Sequence, residues 1–150
     1  MKYGPSLKTR ALGYLARREH SRLELERKLN PYAETFEELS SVLDTLEQRG
    51  FLSAARMVEQ VIDMRKTKFG SLRIVHELRE KGIAENLIAA ALPNIKQTEQ
   101  HNAREVWRKK FSAAPANAKE LGRQMRFLMG RGFAPEVIRQ MLRHPDKEEG

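Results

Sequence analysis

LRIVHELREKGIAENLIAAAL, residues 72–92, and GRQMRFLMGRGFAPEVIRQML, residues 122–142, decide the reading of this chain. At a constant offset of fifty positions, Arg73 answers Arg123, Leu78 answers Leu128, Gly82 answers Gly132 and Ala84 answers Ala134. Ile88 answers Ile138 and Leu92 answers Leu142, while Lys81 and Ile83 find Arg131 and Phe133. Each copy reads as a helix, a basic-Gly-apolar turn and a second helix. A self-similarity at this period predicts stacked helical units. It also directs the search for function to a surface, because stacked repeats commonly present long concave faces.

A fainter copy precedes these two. Glu24-Leu25 and Lys28 match Glu77-Leu78 and Lys81 at an offset of 53, and Ala55-Arg56 with Val58 matches Ala103-Arg104 with Val106. Apolar residues recur at helical spacing along the chain, and no stretch alternates with period two for long. Ser21 with Glu24 reads as a capping box, and Ser53 as a second N-cap. Pro31 closes a short helix that carries Leu25 and Leu29. Leu72, Val75 and Leu78 form the expected stripe of a fifth helix. Leu87, Ile88, Ala91 and Leu92 form that of a sixth, which should stop before Pro93. Leu121, Met125, Leu128 and Met129 should line an eighth, and Pro135 suits the first turn of a ninth. The expected fold is all-α, with about nine helices in three modules (1–52, 53–96 and 97–150) forming one elongated, curved stack. The polar tail from His144 should fray.

Composition narrows the function. Cysteine is absent, which removes disulfides, zinc-thiolate sites and thiol nucleophiles. No apolar run approaches the roughly 20 residues of a membrane span, and the N-terminus lacks an export signal core. No Walker loop, nucleophile elbow or metal-spaced histidine pair occurs. His20 and His76 read as boundary or surface residues. The expectation is therefore a non-enzyme with no catalytic residue, metal or cofactor.

The net charge is +8, which favours anionic partners. Basic residues outnumber acidic ones eight to three over 1–28 and ten to three over 101–145, whereas 30–48 holds five acidic residues and no basic one. The candidate binding residues are the basic clusters Arg65, Lys66 and Lys68; Arg73, Arg79 and Lys81; Arg108, Lys109 and Lys110; and Arg123, Arg126 and Arg131. Lys66 and Lys81 also suit helix C-termini, where the macrodipole favours cations. Aromatic residues near them (Trp107, Phe111, Phe127, Phe133) have two readings, base stacking or core. Helical spacing favours core for Trp107, and Phe69 lies in a turn.

Three phrases then occur in order. The first is Ala16-Arg17-Arg18-Glu19-His20-Ser21 with Glu24-Leu25 and Lys28-Leu29. The second is Leu46-Glu47-Gln48-Arg49-Gly50-Phe51-Leu52. The third is Ile74 with Glu77-Leu78-Arg79-Glu80-Lys81-Gly82-Ile83. Together they resemble the bacterial RecX family of regulatory proteins over essentially the whole chain. Ser53-Ala54-Ala55-Arg56 and Lys68-Phe69-Gly70-Ser71 depart from the family's usual turns. The resemblance implies tandem three-helix modules and a cytoplasmic, monomeric negative modulator of the recombinase RecA. It implies binding along the groove of the RecA nucleoprotein filament, with limited filament growth or promoted disassembly. ATP hydrolysis, strand exchange and cleavage of the SOS repressor would fall as a result. Single- or double-stranded DNA is a further possible contact, and independent nucleic-acid binding through the basic surfaces is the alternative function.

Overall fold

The computed structural model describes residues 4–145; the end of the tail expected to fray, from Asp146 on, lies outside them. Those residues form nine α-helices and one 3-10 turn, and no strand. The helices are α1 (Leu7–Arg17), α2 (Arg22–Leu29), α3 (Phe36–Gln48), α4 (Ala54–Arg65), α5 (Ser71–Glu80), α6 (Glu85–Gln97), α7 (Glu99–Lys110), α8 (Ala118–Gly130) and α9 (Pro135–Arg143).

Three apolar clusters follow the three groups of helices. The first joins Leu7, Ala11, Leu25, Leu29, Leu39, Leu43, Leu46 and Leu52. The second gathers Met57, Val61, Ile74, Leu78, Ile88 and Ile95 among others, and the third Ala103, Trp107, Leu128, Phe133, Ile138 and Met141. Leu25, Leu78 and Leu128, the leucines aligned by the repeat, are each 0% exposed. Each sits on the middle helix of its bundle, so removing any one to Ala costs about 2–5 kcal/mol.

The basic-Gly-apolar turn is a helix C-cap. Gly82 and Gly132 adopt φ of 75° and 83°, a left-handed conformation that only glycine reaches without strain. The next residue then folds back: Ile83 N donates to Leu78 O at 3.1 Å and Phe133 N to Leu128 O at 3.2 Å, the six-to-one bond of a Schellman motif. One leucine thus fills the core and anchors the turn in each copy. Gly50, with φ of 79°, ends α3 by the same device, with Phe51 N donating to Leu46 O at 2.9 Å.

The start signals are borne out. Ser21 and Glu24 form both halves of the capping box on α2, Ser53 accepts from Arg56 N, and Pro135 stands in the first turn of α9. Four expectations need correction. α6 does not stop before Pro93 but runs on to Gln97. Pro93 is exposed there, and the added turn carries Ile95 into the second core, so apolar burial outweighs the hydrogen bond that proline cannot make. On α5 the core face is Ile74 and Leu78, and Leu72 is exposed. On α8, Leu121 and Met129 are exposed while Gln124 is buried. Gln124 tolerates burial because it accepts from Trp107 Nε1 at 2.8 Å and donates to Ala113 O at 3.2 Å. Trp107 is core, as its spacing suggests.

His20 is the fourth. It is buried, with Nδ1 3.0 Å from Arg18 O and Nε2 3.1 Å from Lys28 Nζ. An ammonium can only donate, so Nε2 accepts and Nδ1 carries the proton. Burial, with the neighbouring Arg18 and Lys28 charges, lowers its pKa and keeps the ring neutral.

Candidate functional site: a cationic groove at the second joint

The three bundles meet at two joints, and the basic-Gly turn lies in both. At the first, Gly82 lies against Leu23 of α2, and a Cβ there would stand 2.9 Å from Leu23 Cδ2. Lys81 reaches Glu24 at 3.6 Å, Arg56 pairs with Glu19 at 2.8 Å, and Glu19 N donates to Gln60 at 3.1 Å. Glu24 is the polar centre of this joint. Burial would raise its pKa, but hydrogen bonds from Arg18 and Ser21 N and the charges of Lys81 and Arg18 win and hold it at about 2.

At the second joint, Gly132 lies against Arg73 of α5, the same relation one bundle further on. Here the approach is backbone to backbone. A Cβ on Gly132 would stand 2.4 Å from Arg73 Cβ and 2.7 Å from Arg73 N, and one on Gly70 2.3 Å from Phe133 Cα. Gly70 N donates to Arg131 O and Leu72 N to Gly132 O, both at 2.9 Å. Glu99 of α7, 2% exposed, completes the clamp. Its Oε2 accepts from Ser71 N at 3.0 Å, Ser71 Oγ at 2.9 Å and Ala134 N at 3.0 Å. Gly70 and Ala134 are the N-cap residues of α5 and α9 and bring no capping side chain. Glu99 supplies what both lack, and its charge sits where two helix dipoles favour a negative group.

Beside this clamp opens a groove of about 460 Å³ lined by Thr67, Lys68, Val106, Lys109, Lys110, Phe127 and Arg131. Three helix ends converge on it. Lys68 follows α4, Lys109 and Lys110 close α7, and Arg131 caps α8. The helix ends themselves oppose an anion, but each carries only about half a negative charge. Three amount to about one and a half, against four cations and no carboxylate in the lining. Arg131 is fixed across the joint: Nη1 donates to Lys68 O at 3.4 Å, and the guanidinium lies 5.2 Å from the Phe127 ring centre and 5.7 Å from that of Phe69.

The groove thus unites Lys68, Lys109, Lys110 and Arg131 from three separated places in the sequence. The other candidates go elsewhere. Arg65 pairs with Glu77 at 2.9 Å, Lys66 with Asp63 at 3.5 Å, Arg79 with Glu85 at 2.7 Å and Arg108 with Glu105 at 3.0 Å. Lys81 belongs to the first joint. Arg73 lies 4.3 Å from the Phe69 ring centre and Arg123 5.6 Å from that of Phe111. Arg126 is exposed on α8 outside the groove lining. Arg65, Lys66 and Lys68, neighbours in sequence, therefore have different surroundings, and only Lys68 lines the groove. The acidic stretch of the first bundle is also partly neutralised, because Arg22 binds Asp44 at 2.7 Å and Glu47 at 2.8 Å. Glu99 was missed in the sequence; the available signal was two helices that begin without a capping side chain.

Among the described residues no group of three His, Asp or Glu side chains could hold a metal ion, and no helix is long and apolar enough to cross a membrane. A tandem array of three-helix bundles with a cationic groove at a locked joint defines the class as a helical-repeat protein. Known proteins make the assignment sharper. A family model described as the second three-helix domain of RecX matches residues 55–92, and one for the third matches 97–142. The regulatory protein RecX of Leptothrix cholodnii is 52% identical over 95% of this chain and 91% of its own. That of Chromobacterium violaceum is 45% identical over 93% and 90%. The crystal structure of RecX from Lactobacillus salivarius superposes with a TM-score of 0.81 at 18% identity, covering 93% of this chain and 94% of that one. The chain belongs to the RecX family of regulatory proteins.

Proposed function

We propose that the protein is a negative modulator of RecA recombinase that acts in the cytoplasm as a monomer. It binds the RecA–DNA filament along its groove and limits filament growth or promotes disassembly. ATP hydrolysis, strand exchange and SOS coprotease activity then fall. The observation that carries this reading is family membership across 95% of the chain. The cationic groove supports it, since an anionic nucleoprotein is a fitting partner for such a surface.

A titration of the protein into RecA hydrolysing ATP on single-stranded DNA tests the reading. Hydrolysis should fall at substoichiometric protein. Undiminished turnover across the titration, with no binding to the filament, overturns it.

The groove also favours a second reading, a protein that binds nucleic acid on its own. Affinity would then fall steeply with salt. Binding to free DNA as tight as to RecA filaments at physiological salt would favour that reading.

A further inference from the structure

We infer that the groove between the second and third bundles is a phosphodiester site. It takes the sugar–phosphate backbone of a nucleic acid strand, with Lys68, Lys109 and Lys110 on the phosphates, and it does not read or stack the bases. This deepens the filament reading by assigning which component of a nucleoprotein the groove touches, and rests on that reading only for where the strand is met.

Base stacking needs an open aromatic face. The ring in the groove has none to spare. Phe127 has Phe111 edge-on at 5.5 Å, Arg131 at 5.2 Å and Lys110 at 5.6 Å from its centre. Phe69 beside it has Arg73 at 4.3 Å and Arg131 at 5.7 Å. The aromatics serve to hold cations in place.

Carboxylate recognition typically uses the free planar fork of an arginine. The one arginine of the groove is Arg131, whose guanidinium is already engaged by Lys68 O and two rings. What remains is three lysines, compact point charges indifferent to the plane of the partner group. They suit a chain of phosphates better than an acidic peptide. The clamp of Glu99 and the paired glycines fixes the two walls relative to each other. The backbone that carries the lysines is therefore in place before the strand arrives, which lowers the cost of binding.

Fluorescence anisotropy tests this with three probes on the full chain. One is a labelled oligothymidylate, one an abasic phosphodiester of the same length, and one a polyglutamate competitor. The two phosphodiesters should bind within about threefold of each other, and polyglutamate should compete weakly. The variant Lys68→Ala/Lys109→Ala/Lys110→Ala should bind on the order of tenfold more weakly at low salt. Its slope of log affinity against log salt should be shallower by about two, from three lost phosphate contacts at 0.7–0.9 each. All three lysines are exposed, so its thermal unfolding should match that of the parent. A tenfold loss on the abasic chain means base stacking and overturns the inference. So does equal competition by polyglutamate, or an unchanged salt slope in the variant. RecA ATPase inhibition is read separately. Its absence with phosphodiester binding intact defeats only the filament reading, and its persistence with binding insensitive to the lysines defeats only this one.

Discussion

The two joints are built by the same repeated turn but held by different physics. At the first, a glycine faces a leucine side chain, and the groups that cross are ions and one amide. At the second, a glycine faces backbone, two main-chain hydrogen bonds cross, and a buried carboxylate collects three donors. Surface ion pairs are typically worth about 0–1 kcal/mol each and weaken with salt, whereas a buried donor stripped of its acceptor costs about 1–3 kcal/mol. The first joint can adjust at small cost. The second is a fixed corner, and the cationic groove is built on it.

The sharpest way to break this contrast is Glu99→Ala. Ser71 N, Ser71 Oγ and Ala134 N would lose their acceptor together, and urea denaturation should show a loss of about 3–5 kcal/mol. A loss under about 1 kcal/mol would mean that water replaces the clamp and that the second joint is no stiffer than the first.

Three glycine substitutions grade the joints on one scale. Gly132→Ala, Gly82→Ala and Gly50→Ala share the same left-handed strain, about 1 kcal/mol. Gly132→Ala adds an approach to backbone, and its total should reach about 3 kcal/mol. Gly82→Ala meets only a flexible leucine and should cost about 2 kcal/mol. Gly50→Ala meets open space and should show the strain alone. Equal melting temperatures for the three would erase the distinction between the joints.

The smallest effect sharpens the first joint. The folded-state pKa of Glu24 lies below its ordinary value, at about 2 against 4.5. Its contribution is therefore present above about pH 4.5 and is lost as pH falls through 2. That contribution should be about 1 kcal/mol after allowance for solvent screening. Glu24→Gln should flatten that part of the stability profile measured by denaturant melts between pH 5 and pH 2. A variant with the parent's acid profile would remove Glu24 from the account.

Much of the fold was legible because its signals are local. The capping box of Ser21 and Glu24, the N-cap of Ser53, the glycines after α5 and α8 and the spacing of apolar residues act within a turn or two of the chain. Two misses are places where a distant group overrode a local preference. Ile95 drew α6 past Pro93, and Trp107 allowed Gln124 into the core. Leu72 lost its expected place because Ile74, two positions on, faces the bundle. The basic clusters were visible as composition, yet their partition was not. Lys68 and Arg65 stand three residues apart, but one opens into the groove and the other is closed by Glu77 from the next helix.

The sequence by itself determined the repeat, the all-α architecture, the basic-Gly-apolar turns and the family. Each of these rests on interactions between residues close along the chain or on a pattern copied fifty positions later. Only the tertiary structure decided what the copies do. Lys81 and Arg131 are equivalent by repeat, yet one is neutralised by Glu24 and the other is aligned with three lysines. A charge is free or spent according to which groups folding brings near it, and no local spacing encodes that.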